Sequence, residues 1–236
     1  FLLNSKKKII VAIDTIDTNE ALKITKLIPD VGAFKLGLEY FCANGPKGIS
    51  KISETGVKIF LDLKFHDIPN TVAGAIRASL NLEPYMMTVH LSGGYNMLDR
   101  TMEEVKEYCS KKSLKRPLIL GVSVLTSIDN NDFSSLGIKG KVEDQVVRLA
   151  KLAENSGLDG LVCSAKELKI VKREVGKNLI LVTPGIRPAG GEVNDQKRIL
   201  TPAQAIKDGA NFLVIGRPIT SVDDPQEALN NITLEI

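Results

Sequence analysis

The feature that most constrains this chain is a rhythm running from end to end. Short, β-rich apolar runs alternate with amphipathic helical stretches, in about eight pairs. The runs are Ile9 to Asp14, Ala33 to Gly37, Val57 to Lys64, Tyr85 to Leu91, Leu118 to Leu125, Gly160 to Ser164, Leu179 to Thr183 and Phe212 to Ile215. Each is nearly continuous in apolar residues, as parallel strands covered on both faces must be. Helix ends lie between them. Thr201-Pro202-Ala203-Gln204 combines an N-cap, a first-turn proline and a capping-box glutamine, and the stretches Asp17 to Glu20 and Ser164 to Glu167 repeat the cap-to-acid spacing. Gly56, Gly176 and Gly209 stand where helix C-caps belong. With no linker or low-complexity segment in view, residues 1–236 are expected to form a single-domain (β/α)8 TIM barrel of the α/β class. The rival, a doubly wound open sheet, predicts a phosphate-binding glycine loop after the first run. Asp14-Thr15-Ile16-Asp17 is not such a loop.

Composition agrees with a barrel and narrows the partners. A chain of 236 residues that is 43% hydrophobic can bury a substantial core. Its net charge of +3, with no basic stripe interleaved with aromatics, argues against nucleic acid. Cys42, Cys109 and Cys163 are odd in number and outside any metal-ligand spacing, so they read as reduced thiols of a cytoplasmic enzyme. No apolar run approaches the roughly 18 to 20 residues needed to cross a bilayer. Phe1-Leu2-Leu3 is too short for a signal-peptide core, and Lys6-Lys7-Lys8 reads as a solvated strand entrance.

Barrel active sites gather at the C-terminal ends of the strands, and polar residues recur there. Asp14 ends the first run, Lys35 lies in the second, Asp62 and Lys64 end the third, Thr126 and Ser127 follow the fifth, and Arg187 and Arg217 follow the seventh and eighth. Any one of these is ordinarily a cap or a solvated loop charge. Together they are not, because Asp62 and Lys64, two apart on one strand, point to the same side, and a barrel strand turns that side inward. A carboxylate and an ammonium buried there need each other and further partners. Lys35, on the preceding strand, can supply one.

The stretch Phe60-Leu61-Asp62-Leu63-Lys64-Phe65-His66-Asp67-Ile68-Pro69-Asn70-Thr71 resembles the DxKxxDIPNT motif of orotidine 5'-phosphate decarboxylases. The resemblance extends in order through Val11-Ala12-Ile13-Asp14, Phe34-Lys35-Leu36-Gly37, Val124-Leu125-Thr126-Ser127, Thr183-Pro184-Gly185-Ile186-Arg187, Asp195-Gln196-Lys197-Arg198 and Ile215-Gly216-Arg217-Pro218-Ile219. It implies a substrate, orotidine 5'-phosphate, and a product, UMP. It further implies that Lys64 donates the proton to pyrimidine C6, that Asp62 sits beside the departing carboxylate, and that Lys35 and Asp67 complete an alternating array. By the same resemblance Asp14 and Lys35 hold the ribose, Thr126 and Ser127 address the pyrimidine edge, and Pro184 belongs to the binding surface. Arg217 and the Gly216 backbone N–H grip the phosphate, while Arg187 and Gln196 close over it. Asp67, Ile68 and Thr71 reach into the neighbouring subunit's site, which implies a homodimer with shared active sites.

The chemistry asks for these residue types. Loss of carbon dioxide leaves a poorly delocalised carbanion, and a fixed ammonium beside that carbon both stabilises and protonates it. An adjacent carboxylate cancels part of the ammonium's attraction to the substrate carboxylate, which biases the site toward the transition state. No cofactor and no metal are expected. Asp14, Asp62 and Asp67 could ligate a hard cation, but two ammonium groups among them compete with it. Magnesium-dependent lyases of the same suprafamily, such as hexulose-phosphate synthase and keto-gulonate-phosphate decarboxylase, carry an acidic ligand where this chain has Lys35. A non-catalytic nucleotide-binding barrel is the other rival. Of the two histidines, His66 reads as structural and His90, ending the fourth run, as a hydrogen-bonded packing residue near the floor of the site.

Overall fold

A computed structural model describes residues 2–176, 178–188 and 200–236. Eight parallel strands close into a barrel in sequence order: β1 (Ile9–Ile13), β2 (Ala33–Leu36), β3 (Ile59–Phe65), β4 (Met86–His90), β5 (Leu118–Val122), β6 (Gly160–Val162), β7 (Ile180–Thr183) and β8 (Phe212–Ile215). Closure is made by β8 against β1, with Val11 opposite Ile215. Both faces of the sheet are covered, as the unbroken apolar runs require. Ile10, Ala12, Ala33, Phe60, Met86, Leu120, Val182 and Val214 fill the interior, while Val11, Ile13, Phe34, Leu61, Met87, Val89 and Leu213 pack outward on the helices. The doubly wound alternative is therefore overturned: its sheet has two free edges, and this one has none.

Local signals resolve into real ends with some corrections. Ser164 and Glu167 form a full capping box. Thr201 accepts from the Gln204 N–H, but the Gln204 side chain turns to Asp208 (2.6 Å), so only half of that box exists. Asp17 caps Asn19, and Glu20 accepts instead from Thr15. Gly209 is the left-handed C-cap of its helix, at φ 112°. Gly176 is not a C-cap. The helix Leu168–Glu174 ends on an extended Val175, and the Gly176 N–H donates to the Glu154 carboxylate, which a Cβ there would strike. Lys6 closes a short helix, Leu2–Lys6, rather than opening a strand.

One helix bears directly on the site. In Pro69–Leu80, proline at the first turn supplies a preset φ, and Asp67 Oδ1 accepts from the Ile68 N–H (2.7 Å), so Asp-Ile-Pro-Asn-Thr is physically a helix entrance. This helix is clamped to Tyr95–Lys112 by Glu104, whose carboxylate takes Arg77 Nε at 2.6 Å and Arg100 at 2.8 Å. The hydrogen bond from Arg77, ahead of the opposing burial, holds the Glu104 carboxyl below its usual range. The clamp ties the last turn of this helix to its neighbour.

Candidate active site

Interior parity brings the expected charges to one place. Asp14 follows β1, Lys35 stands on β2, and Asp62 and Lys64 on β3. Lys35 Nζ lies 3.3 Å from Asp14 Oδ1 and 3.9 Å from Asp62 Oδ2, and Lys64 Nζ lies 2.9 Å from the same Asp62 oxygen. The result is an alternating chain Asp14, Lys35, Asp62, Lys64 running across three adjacent strands. Asp62 and Lys35 are well shielded, at 11% and 14% side-chain exposure, whereas Asp14 is open at 59%. Gly37 makes room for the array, since a Cβ there would stand 3.1 Å from Lys35 Nζ.

Lys64 reaches this position by a route the two-residue alternation does not describe. Pairing between β3 and β4 is regular at Leu61 opposite Met87 and resumes at Phe65 opposite Val89, so β3 spends four residues where β4 spends two. Within that bulge Lys64 has φ 51°, a left-handed backbone uncommon for a residue with a side chain. Its N–H donates to Thr88 Oγ1 (2.9 Å), and the same hydroxyl donates to Asp62 Oδ1 (2.9 Å). Thr88 is fully buried. Sequence reasoning passed over it, although it is the polar residue in the middle of Met86-Met87-Thr88-Val89-His90, at the same parity as His90. That signal was available.

A cleft of about 280 Å³ opens over the array. Asp14, Lys35, Asp62 and Lys64 line it, together with Thr126 after β5, Pro184, Gly185 and Arg187 after β7, and Gly216 and Arg217 after β8. Apolar walls come from Ala12, Phe60, Val122, Val162 and Val214. Arg187 is buried and donates to the Ile186 carbonyl (3.0 Å), while its own N–H pairs with Leu200 O. Gly185, at φ 74°, makes the turn that brings it there. Thr126 is half-buried against the cleft; Ser127 is exposed and is not part of its lining. Asp67, Ile68 and Thr71 are exposed and also stand outside the lining of their own chain's cleft. Gln196, with Gly190 and Gly191, lies outside the described residues.

The two histidines stack, with ring centroids 5.2 Å apart, and His90 Nδ1 meets Ser92 Oγ at 2.7 Å. Burial first, then His66 and Lys64, pushes the His90 imidazole below its ordinary value of 6.5. The folded chain thus holds His90 neutral where the unfolded chain protonates it. Stability is full above that ordinary value and falls as pH drops from it toward the lower native value. Melting temperature measured from pH 7.5 to 5 is expected to fall for this reason, with a shallower fall in His90→Asn. Parallel curves for the two proteins would remove His90 as the source. Glu104, whose stabilisation is lost as pH falls through its ordinary value of 4.5 and below, is common to both proteins and cancels in their difference.

Comparison with known proteins turns this geometry into a family assignment. The sequence pattern of the orotidine 5'-phosphate decarboxylase / HUMPS family matches residues 7–232. The chain belongs to this family. It is 46% identical over 231 residues to an orotidine 5'-phosphate decarboxylase of Aliivibrio fischeri strain MJ11, covering 98% of this chain and 97% of that one. It is 45% identical to the enzyme of that name from Moorella thermoacetica, with 99% and 94% covered. Among solved structures, the decarboxylase of Lactobacillus acidophilus superposes with a TM-score of 0.84 at 36% identity, over 96% of this chain and 97% of that one. The decarboxylase family match spans every strand of the barrel, and the charged array falls wholly within it.

Proposed function

We propose that this chain converts orotidine 5'-phosphate to UMP and carbon dioxide, with its own side chains and no metal or organic cofactor. Family membership and near-full-length kinship make it an enzyme of the orotidine 5'-phosphate decarboxylase type. The observation that carries the mechanism is the shared Asp62 oxygen, 2.9 Å from the Lys64 ammonium and 3.9 Å from that of Lys35. A substrate carboxylate placed against Asp62 is repelled by it, and the negative charge that develops on C6 as carbon dioxide leaves is met by Lys64. Lys64 then hands its proton to that carbon. The net change is a C–C bond broken and a C–H bond formed, with no oxidation.

The remaining contacts are those that the resemblance to the decarboxylase motifs implies. Asp14 and Lys35, which already pair, offer the ribose an acceptor and a donor. Thr126, with Ser127 beside it, addresses the pyrimidine edge, and Pro184 forms wall. Arg217 and the Gly216 N–H take the phosphate, with Arg187 and Gln196 closing over it and excluding water. Charge placement supports a metal-free reaction. Among the described residues, the two carboxylates that line the cleft, Asp14 and Asp62, are each paired with an ammonium, and Lys35 would stand against an incoming cation.

One barrel domain carries these groups, and we propose that two copies are needed to finish the site. Asp67, Ile68 and Thr71 are exposed and do not line their own cleft, and the exposed apolar side chains Leu38, Ile68 and Tyr95 follow three successive strands, β2, β3 and β4. An apolar rim of that kind suits a second copy of the chain. No described helix is long and apolar enough to cross a membrane; we place the enzyme in the cytoplasm, with the pyrimidine biosynthesis that makes UMP.

The deciding experiment adds orotidine 5'-phosphate to EDTA-treated protein and follows loss of its ultraviolet absorbance. Undiminished turnover after EDTA is expected. Activity that vanishes with EDTA and returns with magnesium would favour a metal-dependent lyase, and absent turnover with tight UMP binding would favour a non-catalytic barrel.

A further inference from the structure

We propose that Thr88 is a positioning residue, whose hydroxyl sets the Asp62 carboxylate and the Lys64 main chain at one fixed separation and so aims the Lys64 ammonium at the reacting carbon. The inference rests on the decarboxylase reading and goes beyond it, because Thr88 itself lies outside the cleft lining. A hydroxyl offers one donor and two acceptor lone pairs. Here the donor goes to Asp62 Oδ1 and one acceptor receives the Lys64 N–H, both at 2.9 Å and both on a fully buried atom group.

The need for such a residue comes from the bulge. In a regular strand the Lys64 N–H would point toward β2, as the Lys58 carbonyl does, but Asp62, Leu63 and Lys64 here stand opposite Thr88 alone and the bulge turns that N–H toward β4. Thr88 supplies the acceptor for that N–H, at the one residue of β3 with a left-handed backbone. Its side chain is stiff about χ1, so the two groups it joins are tied to the frame of β4 itself. Asp62 is held from the other side by Lys64 and Lys35 through Oδ2, leaving Oδ1 to Thr88. One carboxylate is thereby oriented by three neighbours on three strands. Valine at position 88 would preserve shape and remove both bonds, while serine would keep the hydroxyl and lose only a methyl group.

The test compares Thr88→Val, Thr88→Ala and Thr88→Ser with the wild type, recording kcat and KM for orotidine 5'-phosphate and the melting temperature of each. A misaimed catalytic group costs on the order of 100-fold, so Thr88→Val and Thr88→Ala are expected to lose about that much in kcat, with KM changed less than about threefold. Thr88→Ser is expected to stay within about fivefold of wild type, since its hydroxyl can make both bonds. Near-normal kcat in Thr88→Val would overturn the proposal. So would a serine variant as impaired as valine, because packing rather than the hydroxyl would then be responsible. If valine and alanine variants fail to fold while serine folds, the hydroxyl serves folding and the positioning role falls. An inactive wild type would instead refute the decarboxylase reading itself, a result distinct from all of these.

Discussion

Replacing Lys64 by alanine is expected to lower kcat by at least about 10⁴-fold, since one residue supplies both the general acid and the charge facing the carbanion, each worth on the order of 10²- to 10³-fold or more. The fold is expected to survive. Asp62 would keep its hydrogen bond from Thr88 (2.9 Å) and its ion pair with Lys35 (3.9 Å), so the substitution does not strand a buried carboxylate. Lys64 itself is only partly buried, at 32% side-chain exposure. A melting temperature within a few degrees of wild type, with UMP still bound, separates loss of chemistry from loss of structure. Turnover near normal in this variant would remove Lys64 as the proton donor.

The second large effect is a recovery. Asp62→Ala and Asp67→Ala proteins are each expected to be nearly inactive, and mixing them under conditions of subunit exchange is expected to restore activity. In a mixed dimer one site combines both lesions, while the other takes Asp62 from one chain and Asp67 from its partner and is wild type. With random exchange at equal concentrations, roughly a quarter of all sites are repaired. The structure motivates the experiment through what a single chain leaves undone: Asp67 lies in the same motif as Lys64, yet it is exposed, accepts from its own Ile68 N–H and does not line its own cleft. If exchange is demonstrated by an independent label and activity stays at the background of the two parents, Asp67 acts within its own subunit or not at all.

Much of this architecture was legible in the residues, and the parts that were not share a physical cause. The eight apolar runs anticipated eight strands because burial on both faces leaves a continuous signature. Their ends drifted, as with Leu118 to Leu125, which is a strand only to Val122, because apolar residues continue into the loop that lines the cleft. Lys35, Asp62 and Lys64 could be placed together from parity. What parity could not reveal is the bulge between Leu61 and Phe65, for neither glycine nor proline marks it, and the left-handed residue is a lysine. Thr88 could be read as an inward polar residue from its parity with His90, but what its hydroxyl holds depends on the course of the Lys64 backbone, which parity does not give. Gly176 misled because a glycine after a helix has two explanations, a left-handed cap or a close approach, and here the Glu154 carboxylate supplied the second. Asp67, Ile68 and Thr71 are recognisable in the sequence as a helix entrance, but a motif cannot say across which boundary it points.

The left-handed turn at Lys64 sets robustness and usefulness against each other at a single peptide. A side chain in that conformation costs about 1 to 3 kcal/mol, which glycine would not incur. A laboratory selection that rewards heat tolerance alone does not distinguish glycine here from glycine at Glu83 or Ser113, yet only here does the gain cost the ammonium on which the chemistry depends. Screens for hardier variants of this barrel need turnover as a second criterion, because glycine at Glu83 or Ser113 relieves the same kind of backbone cost harmlessly, whereas at Lys64 it removes the proton donor.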